Sequence, residues 1–112
     1  HSAIEVVGEA QNADEAFEMI ETLNPDLLFL DIQMPGKTGF QLLEMLDSVP
    51  LVVFTTAYDE YALKAFDVSA LDYLLKPIQP ERLSETIQKI LQKEKEKKEQ
   101  IENGEKKLGL ND

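Results

Sequence analysis

Short apolar runs alternate along this chain with segments whose apolar residues recur at helical spacing, so strands and helices are expected to take turns. Four runs read as strands: Ile4 to Val7, Leu27 to Leu30, Leu51 to Thr55 and Leu71 to Leu75. After the first, Asn12 and Glu15 suit a capping box, and Ala13, Ala16, Phe17, Ile20 and Leu23 trace one helical stripe that Asn24-Pro25 stops. Phe40, Leu43 and Leu46 mark a second helix closed by Asp47-Ser48-Val49-Pro50, and Ala62, Ala65 and Phe66 mark a shorter third after Asp59. The last helix opens with Pro80 near its first position, where a missing N–H has no intrahelical partner to lose, and Leu83, Ile87, Ile90 and Leu91 share its apolar face. Such alternation predicts an α/β fold with a parallel sheet covered on both faces.

Three of the strands end in polar groups. Asp31 follows Leu27 to Leu30 and precedes the turn Met34-Pro35-Gly36, Thr56 follows Leu51 to Thr55, and Lys76-Pro77 follows Leu71 to Leu75. In parallel α/β sheets the ligand site lies outside the carboxyl ends of the strands, so an acid, a hydroxyl and an ammonium should converge there. Each has a plainer reading when taken alone: Asp31 as a turn residue, Thr56 as a β-branched strand residue, Lys76 as a surface lysine. The triple is the specific signal. A carboxylate can attack a phosphoryl group to form an acyl phosphate, provided that cations placed beforehand offset the charge gathered in the transition state. Lys76 can supply one of them.

These residues resemble the receiver domain of two-component response regulators. The resemblance runs over roughly residues 3 to 92 and implies a flavodoxin-like, doubly wound parallel sheet. It matches Asp31 to the phosphoacceptor, Thr56 to the switch hydroxyl, Tyr73 to the switch aromatic and Lys76 to the family's lysine, with Lys76-Pro77 at its cis-peptide junction. Tyr73 would otherwise be read as packing on a half-buried strand. The stretches Thr55-Thr56-Ala57-Tyr58-Asp59-Glu60-Tyr61-Ala62 and Ala70-Leu71-Asp72-Tyr73-Leu74-Leu75-Lys76-Pro77 are most similar to regulators with a LytTR-type DNA-binding output domain.

One departure from the family is conspicuous. Its members open with a strand bearing two adjacent acidic residues that hold Mg²⁺, followed by a helix, whereas this chain enters at His1-Ser2-Ala3 directly before the family's second strand. The resemblance gives Mg²⁺ only Asp31 and the backbone carbonyl of Gln33, so weak Mg²⁺ binding and poor phosphate acceptance are expected of the chain as it stands. The absent strand would lie between Ile4 to Val7 and Leu27 to Leu30 in the family's order. Its loss leaves three expectations open: direct pairing of the flanking strands, pairing with a second copy along the Leu27 to Leu30 edge, or partial folding.

Length allows one domain, read as a receiver over residues 1–92, with residues 93–112 as a charged linker or helical extension toward an output domain. Lys93 to Lys107 alternates charges without sustained heptads, which favours a solvated segment over a coiled coil. The net charge of -11 falls entirely on residues 1–92, because Lys93, Lys95, Lys97, Lys98, Lys106 and Lys107 balance Glu94, Glu96, Glu99, Glu102, Glu105 and Asp112. An acidic body repels phosphate backbones, so any DNA contact is expected through an attached domain. The chain has no cysteine, no apolar run near the roughly 20 residues of a membrane span and no signal-peptide pattern, which suits the cytoplasm.

The expectation is therefore a non-enzymatic switch that takes phosphate from a histidine kinase onto Asp31, self-associates and controls an output domain. A pseudo-receiver acting by dimerisation alone is the alternative. A phosphatase-type enzyme is disfavoured, since a second acid is usually needed close after the nucleophile and Gln33 stands there. Asp59 and Glu60 are explained by a helix dipole, and His1 has no visible partner.

Overall fold

The computed structural model describes residues 4–111, with side chains through Gln100; His1 and Asp112 lie outside the described residues. Helix α1 (Ala13–Leu23), strand β1 (Leu27–Asp31), helix α2 (Gly39–Glu44), strand β2 (Leu51–Thr56), helix α3 (Ala62–Asp67), strand β3 (Asp72–Leu75) and helix α4 (Pro80–Asn111) follow in order. The three strands form one parallel sheet in the order β1-β2-β3. The chain divides between Ile78 and Gln79 into two compact units, the second consisting of α4 and the residues beside it.

Side-chain caps start α1 and α2, whereas α3 begins without one. The Asn12 side chain accepts from Glu15 N–H at 2.8 Å, and Asn24 ends α1 in the left-handed conformation, φ 48°, while its N–H reaches Ile20 C=O. At α2 the caps are reciprocal: Thr38 Oγ1 accepts from Gln41 N–H at 3.2 Å and the Gln41 side chain accepts from Thr38 N–H at 2.8 Å. Along α4, Arg82–Glu85 and Lys93–Glu96 pair at i,i+3, as its alternating charges allow.

Period-2 alternation sets the core of the first unit. Leu28 and Leu30 of β1, Val52 and Phe54 of β2 and Tyr73 of β3 share one face, with Leu30 in register with Phe54 and Phe54 with Tyr73. Ala13 of α1, Phe40 and Leu43 of α2 and Ala65 of α3 pack onto that face, where Phe40 and Phe54 stand 4.8 Å apart between ring centroids.

Two sequence expectations fail here. Ile4 to Val7 is not a strand: it has no regular structure, Val6 is 74% exposed, and Gly8 after it lies close to Met19 and Leu23 of α1. A strand needs a neighbour to pair its backbone, and among the described residues β1 pairs only with β2, so β-propensity alone cannot hold this run extended in a sheet. On α3 only Ala65 is buried, whereas Phe66 is 79% exposed, because one turn and a half of helix turns a single position toward the core.

Because Thr38 carries both halves of the α2 cap, Thr38→Ala is expected to lower the stability of the fold by about 1 kcal/mol, measured as a shift of the urea midpoint without a change in slope.

Candidate functional site

The parallel register brings the three polar strand ends to one rim. Asp31 is the last residue of β1 and sits beside Thr55, with Ile32 N–H donating to Thr55 C=O at 3.2 Å. Thr56 ends β2 beside Leu75, and Lys76 N–H donates to Thr56 C=O at 2.7 Å. Backbone hydrogen bonds thus run to the hydroxyl strand both from the residue after the acid and from the lysine.

Side chains complete the arrangement. Lys76 Nζ lies 2.7 Å from Asp31 Oδ2, and Gln33 N–H donates to Asp31 Oδ1 at 3.0 Å. The two charged side chains are 46% and 35% exposed, so the pair adds little to stability. It nonetheless fixes an ammonium beside a carboxylate that solvent can reach. Thr56 is fully buried, and its Oγ1 accepts from Tyr58 N–H at 3.2 Å.

Two glycines shape the loop after Asp31. Gly36 takes φ 85°, which supplies the turn that Met34-Pro35 begins. Gly39 opens α2 directly against β1: a Cβ there would lie 2.9 Å from the Asp31 carbonyl oxygen and 3.1 Å from Leu30 Cγ. The Lys76-Pro77 peptide bond is cis.

Tyr73 leaves the end of this rim and reaches back to it. Its hydroxyl donates to the carbonyl of Tyr58, the residue whose N–H holds Thr56. Burial pushes the Tyr73 phenol above its ordinary range; a backbone hydrogen bond from Tyr61 opposes this, and the charges of Asp59 and Glu60 add to it. Those two acids, read from sequence as helix-dipole partners, therefore also add to the upward push on Tyr73.

The fold and the rim agree with what comparison finds. Residues 1–88 match the family model of the response regulator receiver domain. The chain belongs to that family. It is 55% identical over 94 residues to an uncharacterized response regulatory protein of Vibrio cholerae, covering 82% of this chain and 40% of that protein. It is 53% identical over 91 residues to the transcriptional regulatory protein BtsR of Salmonella typhi, covering 80% of this chain and 38% of BtsR. Among solved structures, the receiver domain of AraT from Geobacillus stearothermophilus superposes with a TM-score of 0.75 at 37% identity, covering 85% of this chain and 78% of that one. The response regulatory domain of mrkE from Klebsiella pneumoniae gives 0.71 at 33% identity, with 79% and 75% covered. The chain spans about two fifths of the length of these curated relatives.

The receiver fold is thus an α/β fold with a parallel sheet, as its strand alternation implies. Receiver domains generally bind Mg²⁺, but the described residues offer it a sparse donor set. Asp31 is one carboxylate, both its oxygens already accept hydrogen bonds, and no group of three or more His, Cys, Asp or Glu is placed to hold a metal among the described residues. These residues do not make a complete Mg²⁺ site. Among the described residues no helix is long and apolar enough to cross a membrane.

Sequence reading missed two parts of this receiver's site. The Thr38-x-x-Gln41 spacing is a capping-box signature that was there to be found, and it anchors α2 beneath Asp31. The Gln33 side chain donates to Tyr61 Oη at 2.8 Å, a contact across 28 residues that no local pattern announces.

Gly39→Ala is expected to destabilise the receiver by about 1 kcal/mol or more despite alanine's better helix propensity, since the Cβ presses on backbone rather than on a flexible chain end; urea unfolding measures it. For Tyr73, an acid whose folded pKa is raised, the associated stability is full below about 10 and falls as pH rises through the raised value. Ultraviolet titration of the phenolate is expected to show that late ionisation, with an earlier midpoint in Asp59→Asn/Glu60→Gln.

Proposed function

We propose that this receiver is a phosphoacceptor switch, with Asp31 taking a phosphoryl group from the phosphohistidine of a histidine kinase. The observation that carries this reading is the Asp31–Lys76 pair held at 2.7 Å on a rim tied by backbone to Thr56. An Asp31 carboxylate oxygen attacks phosphorus, the new O–P bond forms as the N–P bond to the imidazole breaks, and the imidazole leaves with the electron pair and takes up a proton. Lys76 offsets the negative charge on the transferred oxygens. Thr56 accepts from Tyr58 N–H and keeps its own proton to donate to a phosphoryl oxygen.

The switch then follows from the Tyr58 backbone. A phosphoryl group that draws the Thr56 hydroxyl toward Asp31 draws on Tyr58, and Tyr73 is bonded to the carbonyl of the same residue. The charge event is local, and its readout is the position of that loop and of Tyr73. Asp31 and the Gln33 carbonyl alone would hold Mg²⁺ weakly, so the positive charge this reading relies on is that of Lys76.

The same reading extends to a cytoplasmic regulator whose output domain, of LytTR type, binds DNA. Two supports for the wider reading are that the chain spans about two fifths of its relatives and that some of these are transcriptional regulatory proteins. Self-association belongs to it as well, and residues 93–112 would lead on toward the output domain. The outer edge of β1 and the exposed Leu63 and Phe66 of α3 are surfaces that a second copy could cover.

Incubation with acetyl phosphate and Mg²⁺ followed by intact-mass analysis tests the acceptor. A slowly formed, partial phosphoryl adduct is expected on this chain, because its Mg²⁺ ligands are few, none on Asp31→Asn, and accumulation slower still by about 10-fold or more on Lys76→Met, as for loss of one charge stabilising a transition state. Absence of an adduct on both the unaltered chain and Asp31→Asn would fit either a chain disabled by its incomplete Mg²⁺ site or a phosphorylation-independent interaction module.

A further inference from the structure

One side-chain bridge joins the loop after Asp31 to the loop after Thr56. Gln33 holds the acceptor with its backbone, N–H to Asp31 Oδ1 at 3.0 Å, and reaches across with its amide, Nε2 to Tyr61 Oη at 2.8 Å. The far end of the bridge is anchored. The Tyr61 ring lies 6.3 Å from that of Phe40, which is buried against Phe54, and it meets the Tyr58 ring edge-on at 6.5 Å. Tyr58 in turn holds Thr56 Oγ1 through its N–H and receives the Tyr73 hydroxyl on its carbonyl. Contacts therefore close a circuit from Asp31 through Gln33, Tyr61 and Tyr58 to Thr56 and Tyr73.

We propose that Tyr61 is a positioning residue of the phosphoacceptor site: its hydroxyl, through Gln33, couples the Asp31 loop to the loop that carries Tyr58, so that the two keep step. The inference rests on Asp31 being the acceptor and adds a residue that touches neither the acid nor the lysine. The physical need is plain. Tyr58 N–H orients Thr56 Oγ1 from a loop with little burial of its own, since residues 57–60 are all exposed. Backbone in such a loop samples other positions unless something fixes it. The ring of Tyr61 ties the loop to the core, but only its hydroxyl ties it to the acceptor.

The test separates hydroxyl from ring. Tyr61→Phe keeps the packing on Phe40 and deletes the oxygen; Gln33→Met keeps the length and the backbone N–H to Asp31 but deletes the amide. Each is expected to slow phosphoryl accumulation from acetyl phosphate by about 3- to 10-fold, the range that one ordinary hydrogen bond can shift a population. The double variant is expected to be no slower than the slower single one, because both remove the same bond. Amide hydrogen exchange at Tyr58 is expected to quicken by a similar factor in both variants, with core amides such as Val53 and Leu74 unchanged. Gln33→Glu, whose carboxylate can accept from the Tyr61 hydroxyl, is expected to hold Tyr58 exchange near that of the unaltered chain.

Additive slowing in the double variant, or Tyr58 exchange indifferent to Tyr61→Phe, would overturn the coupling. If the unaltered chain takes no phosphoryl group, the acceptor reading loses its support on this chain, and the exchange measurement still decides whether the two loops are coupled.

Discussion

Parallel pairing in a single register is the constraint on which the receiver's chemistry depends. It sets Asp31 beside Thr55 and Thr56 beside Leu75, so that three strands deliver an acid, a hydroxyl and a lysine to one edge of the sheet. A slip of one residue in either pairing would reverse the faces of a strand, taking Leu30 or Phe54 out of the core and moving the polar ends out of line. The apolar alternation that makes the core and the polar placement that makes the site are therefore enforced together.

The rim gains its rigidity from backbone more than from charge. The Asp31–Lys76 pair is partly solvated and of small worth to stability, whereas the hydrogen bonds from Ile32 and Lys76 to the Thr55 and Thr56 carbonyls extend the sheet ladder past the strand ends. Gly39 lets α2 approach the back of Asp31, and the Thr38–Gln41 cap fixes where that helix begins. An ammonium held near a carboxylate by such a frame needs little reorganisation when a further anionic group arrives.

Opposite demands meet at the loop from Ala57 to Tyr61. Under the proposed switch, it must be movable to transmit a charge event and ordered enough to aim Thr56. Its aromatic residues reconcile the two: Tyr58 offers backbone groups to Thr56 and Tyr73, and Tyr61 plants a ring against Phe40 while its hydroxyl meets Gln33. Lys64, with its ammonium 4.6 Å from the centre of the Phe40 ring, adds a cation–π contact to the same cluster.

Much of this receiver was legible in the sequence. Helical spacing with Asn12 and Asn24 at the ends located α1, apolar runs located β1, β2 and β3, and polar residues at strand ends located Asp31, Thr56 and Lys76, because periodicity and caps are local properties of a chain. Ile4 to Val7 had the composition of a strand and did not become one, since a strand exists only by its neighbour. Phe66 fitted an apolar stripe and points to solvent, since which side of a short helix is buried depends on what lies beneath it. The Gln33–Tyr61 bridge, the double use of Tyr58 and the closeness of Gly39 to Asp31 likewise join residues far apart in sequence or turn on close approach. Local pattern determined which residues could serve the site; only packing decided which of them meet, because distances across a fold are set by the whole core and not by spacing along the chain.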